Sequence, residues 1–343
     1  MLLESGGASS PDSSMASILG HRVGPHGYGL MGLTWRPDPP NQDECFHLMN
    51  TALSTGANLW NGGDFYGTPE RNSLHLLRDY FERYPQNASK VLLSMKGGFR
   101  PGTQIPDGSE TNLRRSVEEC NRVLAGRKVV DIFECARVDP TTPIEEVIGV
   151  LAQLVREGQI RGIGLSEVKA ETIRRAHAVH PIAVVEVELS LWETSVLSNG
   201  VAQTCCELGI PIVAYAPLSR GALTGEFPTK NEDVPIHRRA FPKFQNEVLT
   251  ANRRLSEEVD AMARRKGCKS TQIALAWIRG LKGRNGIGTI TPIPGAERDL
   301  WIRENNKLVT LSDAEMDQLD EILTRNKTIG ERYHAALNHL NSG

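Results

Sequence analysis

The sequence predicts an α/β protein folded as a single-domain (β/α)8 TIM barrel, and three observations predict it. Eight short runs recur that are nearly continuous in apolar residues, as strands buried on both faces are. Amphipathic stretches separate them, which is the alternation of a parallel sheet covered by helices. The eight units occupy about 270 residues, the size of one such barrel.

The first element is a small hairpin near residues 18–23. Predicted strands then cover residues 28–33, 58–60, 91–96, 130–135, 162–166, 182–189, 212–215 and 289–292. Predicted helices lie between them at residues 43–54, 74–83, 112–124, 144–156, 170–178, 201–208 and 251–265. Gly56, Gly126, Gly158 and Gly209 each follow an amphipathic run, the usual helix stop. Thr141 and Thr142 before Pro143 supply a capping hydroxyl and an early proline for the helix at Ile144. Gly27, Gly29 and Gly32 match G-x-G-x-x-G by count, but they run through the first strand. Pro37, Pro39 and Pro40 then forbid the helix that a doubly wound dinucleotide fold requires.

Residues 217–248 form a long loop rich in Pro, Gly, Arg and Lys. At the C-terminal face of a barrel such a loop reads as a lid or binding loop. Ser312 and Glu315 make a capping box for a last helix over residues 310–326. The polar end from residue 328 reads as a tail or closing flap. The expected organisation is a disordered lead over residues 1–17, the barrel over 18–330 and a C-terminal tail over 331–343.

Composition sets outer limits. The chain has 343 residues, 39% hydrophobic and 23% charged, with a net charge of −2. That charge gives no basic footprint for nucleic acid and no attraction to an anionic membrane. No apolar run approaches the roughly 18 residues that span a bilayer. The expected partner is a small molecule, and the expected state a monomer or weak homo-oligomer. Six cysteines are scattered without a C-x-x-C pair or a histidine at zinc spacing, so buried free thiols are expected and no metal. Residues 1–17 lack the apolar centre of a secretory signal, which makes a cytoplasmic location the expectation.

Two segments carry the chemistry. Residues 58–67, ending Asn61-Gly-Gly-Asp-Phe-Tyr66-Gly67, and residues 91–97, ending Met95-Lys96-Gly97, each pass from an apolar run into polar and glycine residues. Buried strands end in this way at functional loops. Tyr66 and Lys96 are about thirty residues apart, one strand–helix unit of a barrel. A lysine ammonium beside a phenol favours the phenolate and eases transfer of its proton. Such a pair suits an acid catalyst that protonates a carbonyl while it is reduced. The plainer alternatives are a tyrosine that plugs a loop and a rim lysine in water. Glu134 shares a strand face with Ala136; an outward salt bridge is the expectation for it, with an approach to Lys96 as the alternative.

Taken together, residues 61–67, 94–97, 131–140, 163–167, 214–225 and 292–305 resemble an aldo-keto reductase over roughly residues 18–330. Residues 29–37, 60–67, 135–140 and 174–179 are similar to the fungal pyridoxal reductases within it. The resemblance implies NADPH-dependent reduction of an aldehyde, with pyridoxal reduced to pyridoxine as the favoured case. Another aldehyde or ketone is the alternative. A non-catalytic NADPH-binding barrel resembling the potassium-channel β subunits is the alternative of a different class.

The resemblance also implies roles for residues. Tyr66 donates the proton and Lys96 lowers its pKa. Asn61 stands where most members have an aspartate, and its amide accepts from Lys96 while leaving the lysine charge directed at Tyr66. Ala136 stands where most have a histidine and leaves space for the substrate, with Met31, Trp35 and Arg137 alongside. Tyr215 stacks on nicotinamide, and Ser166, Glu167 and Glu186 hold its carboxamide. Leu218, Arg220 and Gly221 match a pyrophosphate-contacting stretch. Gly295, Arg298, Glu304 and Asn305 match the adenosine end, where Arg298 suits a 2′-phosphate and favours NADPH. Trp301 is placed to stack on adenine.

Overall fold

A computed structural model describes residues 16–333. The chain opens with an antiparallel hairpin of β1 (Ala16–Ile18) and β2 (His21–Val23). Residues 16 and 17, expected in the disordered lead, thus lie in β1; residues 1–15 fall outside the described part. There follow β3 (Tyr28–Gly29), α1 (Met31–Thr34), α2 (Gln42–Ser54), β4 (Leu59–Gly63), α3 (Ser73–Arg83), β5 (Leu92–Gly97), α4 (Glu110–Leu124) and β6 (Val130–Cys135). The second half runs α5 (Ile144–Arg156), β7 (Ile160–Ser166), α6 (Ala170–Val179), β8 (Ile182–Glu188), α7 (Val201–Glu207), β9 (Ile212–Tyr215), α8 (Asn246–Lys266), α9 (Ser270–Gly280), β10 (Ile290–Pro292), α10 (Asp299–Asn306) and α11 (Asp313–Arg325).

Strands β3 to β10 form one parallel sheet in chain order. Backbone hydrogen bonds from Gly27 to Pro292 (2.9 Å) and from Gly29 to Pro294 (3.3 Å) bring its two edges together. This is the predicted eight-stranded barrel. Alternation along each strand decides what lies inside it. Leu59, Leu92, Ile132, Val184, Val213 and Ile293 form an apolar layer at the N-terminal end, covered by Ala16, Ile18 and Val23 of the hairpin. Two residues further along four of these strands stand Asn61, Ser94, Glu134 and Glu186. The polar centre therefore rests on a dry floor.

Some boundaries differ from expectation. The predicted strand at 28–33 ends at Gly29, and Met31–Thr34 turn into α1, held where Thr34 Oγ1 donates to Tyr66 O at 2.7 Å. Strand β4 continues through two glycines that read as a break. A Cβ on Gly62 would lie 2.9 Å from Met95 Sδ, and one on Gly63 would lie 3.0 Å from the Tyr66 ring, so neighbours use the space the glycines leave. The long loop contains short 3-10 turns at Asn231–Asp233, Ile236–Arg238 and Pro242–Phe244, and α8 starts five residues before its predicted start. Helix α9 had no clear signal because Ile273-Ala-Leu-Ala-Trp-Ile278 is apolar on every side and all six residues are buried.

The six cysteines are free thiols; Cys206 is exposed, whereas Cys45, Cys120 and Cys205 are buried. Among the described residues no helix is long and apolar enough to cross a membrane.

Candidate active site at the barrel axis and mouth

Lys96, near the end of β5, is 4% exposed and projects into the barrel. Its ammonium donates to Asn61 Oδ1 at 2.9 Å and pairs with the Glu186 carboxylate. Asn61 Nδ2 donates to the other Glu186 oxygen at 2.6 Å. The hydrogen bond expected between Asn61 and Lys96 is present, but the lysine charge is not left uncompensated. Both Glu186 oxygens are committed to Lys96 and Asn61, partners other than the carboxamide that the resemblance implied. Burial alone would push the Lys96 ammonium down; Glu186, with Tyr66 and Glu134, outweighs it and holds the group above its ordinary range.

Glu134 corrects the expectation of an outward salt bridge. It is fully buried, accepts from Ser94 Oγ, and has an oxygen 3.9 Å from Lys96 Nζ. Gly164, opposite it on β7, gives it room: a Cβ there would lie 2.5 Å from Glu134 Cγ. Burial first, then the charge of Glu186, pushes the Glu134 carboxyl up to about 8. An isolated charge is costly in such a site, so a neutral acid is the favoured form at neutral pH.

Tyr66 sits on the loop after β4 and is 9% exposed, with Lys96 Nζ 5.9 Å from its ring centroid. The net direction of its pKa is upward. Burial is the largest cause, Lys96 and Arg137 pull it down, and Glu186 and Glu134 push it up. Trp35 stacks on the Tyr66 ring at 5.4 Å, and Phe65 meets it edge-on at 4.9 Å. Phe99 extends the wall, 4.7 Å from Phe65. Phe65 and Phe99 were missed as site residues, although Phe65 adjoins Tyr66 in the motif.

Met31 is 49% exposed and Trp35 40%, both at the rim, while Ala136 is 1% exposed. The Arg137 guanidinium donates to Ala136 O at 2.6 Å. It feels the charges of Tyr215, Tyr333, Glu167 and Tyr66, which hold it above its ordinary range against the downward push of burial.

A second charged cluster crosses the mouth. Glu167, in the left-handed region at φ 54°, follows β7, and Glu188 ends β8. Arg332 forms a two-pronged pair with Glu167 at 2.9 and 2.8 Å and reaches Glu188 at 3.1 Å. Arg220 also reaches Glu188, at 3.0 Å. Tyr215, at the end of β9, has its hydroxyl 2.8 Å from that of Tyr333. Neither Arg332 nor Tyr333 was foreseen as a site residue, and the predicted tail boundary at residue 331 sets both apart from these partners. Arg220 and Gly221 lie in the 3-10 turn Ser219–Gly221, which Leu218 precedes. Ser166 Oγ is buried with no hydrogen-bond partner.

The adenosine-end candidates lie apart from these clusters, on α10 and the loop before it. Arg298 caps α10 and lies over the Trp301 ring at 4.7 Å, so that ring face is already in use. Gly295 and Arg298 are exposed, Glu304 is half-buried and Asn305 is buried.

An eight-stranded parallel barrel with a buried lysine and tyrosine at its C-terminal end defines a recognisable class. The chain belongs to the aldo/keto reductase family, whose profile matches residues 26–324, and is an oxidoreductase. It is 41% identical to a probable pyridoxal reductase of Schizosaccharomyces pombe over 332 residues, 94% of this chain and 98% of that protein. It is 36% identical to a candidate pyridoxal reductase of Saccharomyces cerevisiae over 335 residues, 90% of this chain and 96% of that one. A solved glycerol dehydrogenase from Gluconobacter oxydans shares the fold with a TM-score of 0.79 at 23% identity, covering 94% of this chain and 100% of that chain.

Proposed function

We propose that this protein reduces an aldehyde to an alcohol with NADPH, and that pyridoxal is its substrate. The observation that carries the reading is the buried Tyr66–Lys96 pair, with the lysine anchored from two other strands by Asn61 and Glu186. The names of the two yeast relatives support pyridoxal as substrate. So does the aromatic wall of Trp35, Phe65 and Phe99 beside Tyr66, since planar rings pack favourably on such faces.

The residues present fit the cofactor. The orphaned, buried Ser166 Oγ suits the carboxamide, the Tyr215 ring suits the nicotinamide face, and the exposed Arg298 guanidinium suits a 2′-phosphate. When bound, NADPH supplies the hydride that reaches the carbonyl carbon. The Tyr66 hydroxyl donates its proton to the carbonyl oxygen, which completes the alcohol. Lys96 and Arg137 stabilise the phenolate left behind, while Glu186 and Asn61 fix the lysine in place.

The reading is tested with purified protein by following NADPH oxidation against pyridoxal, pyridoxal phosphate and a generic aromatic aldehyde. Highest kcat/KM for pyridoxal is expected. Oxidation of NADPH by the generic aldehyde alone would leave a reductase with a different substrate.

A further inference from the structure

Residues 328–333 are fastened across the barrel mouth. Thr328 Oγ1 donates to Trp192 O at 2.9 Å, and Ile329 exchanges hydrogen bonds of 2.7 and 2.9 Å with the buried Asn252 side chain. Gly330 turns at φ 105° against Pro242, where a Cβ would come within 3.0 Å of backbone. This delivers Arg332 to Glu167, Glu188 and the Tyr215 hydroxyl, the last at 3.1 Å. Tyr333 continues the seam, with Arg220 5.1 Å from its ring centroid and 4.2 Å from that of Phe241.

Glu167 and Glu188 are 6% and 7% exposed, and both stand among residues that the NADPH reading assigns to the cofactor. Two buried carboxylates facing an anionic dinucleotide repel it. We propose that Arg332 is a resident counter-ion of the cofactor site, remaining on Glu167 and Glu188 when the dinucleotide binds and cancelling that repulsion. The inference rests on the NADPH reading. The rival arrangement makes residues 328–333 a plug that the cofactor expels. Expulsion strips the buried Glu167 of its two-pronged partner and leaves Glu188 with Arg220 alone, and an unpaired buried charge is strongly unfavourable. Retaining Arg332 avoids that cost and adds a planar guanidinium and the Tyr333 ring to the surface the cofactor meets.

The test is an NADPH titration of the full chain, followed by protein fluorescence, with circular dichroism to confirm folding. Arg332→Gln is expected to raise the Kd on the order of 10- to 100-fold, because it exposes the ligand to an unpaired Glu167 and a Glu188 held by Arg220 alone. Adding Glu167→Gln and Glu188→Gln to that variant should recover most of the loss. Arg332→Lys, which keeps the charge and loses the two-pronged geometry, should fall between and serves if the glutamine variant does not fold. Equal or tighter binding by Arg332→Gln would overturn the counter-ion and establish a plug. Failure of the triple variant to recover would overturn it as well. Absence of NADPH binding by the unaltered protein would remove the cofactor reading itself, a result distinct from either.

Discussion

Two charged clusters sit one above the other, joined through β8, which carries both Glu186 and Glu188, and they are held by different means. At the axis, Asn61, Lys96, Glu134 and Glu186 come from β4, β5, β6 and β8, and the Lys96 and Glu186 side chains are 5% and 1% exposed. At the mouth, Glu167, Glu188, Tyr215, Arg220 and Arg332 come from strand ends, a 3-10 turn and the last described stretch. Their arginines are more open, at 19% for Arg332 and 17% for Arg220. The axis is rigid because every member is fixed by the sheet's own register; the mouth is set by loops. Hence the axis is suited to tuning one proton, and the mouth to receiving something that comes and goes.

The contrast is broken most directly at the axis's point of action. Tyr66→Phe removes the proposed donor, and turnover should fall by about 10²–10⁴ while NADPH affinity holds. Near-normal turnover would show that another group supplies the proton and that the axis serves only structure.

Next in size is Glu186→Gln. Breaking a buried pair leaves the ammonium with only the more distant Glu134, so chemical denaturation should show a loss of up to about 3 kcal/mol. Glu186 also holds the phenol of Tyr66 up, so the phenol limb of the pH–rate profile should move to lower pH in this variant. Asn61→Asp in the same background returns the anion to within reach of Lys96 and should restore both stability and profile. No recovery in the double variant would mean that Lys96 depends on the position of the charge, not only on its presence.

A smaller effect is expected away from the axis, where Arg298→Ala should weaken NADPH by roughly 1.5–3 kcal/mol, the value of a charge-assisted pair. NADH should be spared. Isothermal titration with both cofactors would separate a phosphate site from a general loss, and equal weakening would place the phosphate elsewhere.

The subtlest change is Glu134→Gln. With its folded pKa raised to about 8, Glu134 is neutral below that pH and becomes a second anion above it. That anion pushes the Tyr66 phenol further up and makes it a weaker proton donor, so reduction should decline above about pH 8. The glutamine variant should lose this decline. The sign for stability is the same. The unfolded glutamate ionises near 4.5 and the folded one near 8, so Glu134's contribution is full below the first value and lost as pH rises towards the second. A decline that survives in Glu134→Gln would assign it to another group.

The sequence by itself determined the number and order of the strands and the alternation along them. Apolar runs set the eight strands. The two-residue period then set Glu134 on one face with Ala136, whereas Asn61 joins Leu59 only because β4 runs on through Gly62 and Gly63. Tyr66 and Lys96 were legible as a pair because both end neighbouring strands of a single repeat unit. What neutralises Lys96 was not legible. Glu186 lies 90 positions along the chain and meets it only because the barrel closes. A buried carboxylate is costly, and only the packed structure supplies the Ser94 hydroxyl, the neighbouring Lys96 and the space at Gly164 that allow Glu134 inside. Arg332 is 165 positions from Glu167, in a polar stretch with no periodicity to mark it. Strand alternation is a local property of the backbone. The partner of a buried charge is chosen by whichever distant side chain the closed fold brings within a few ångströms, so that choice belongs to the tertiary structure.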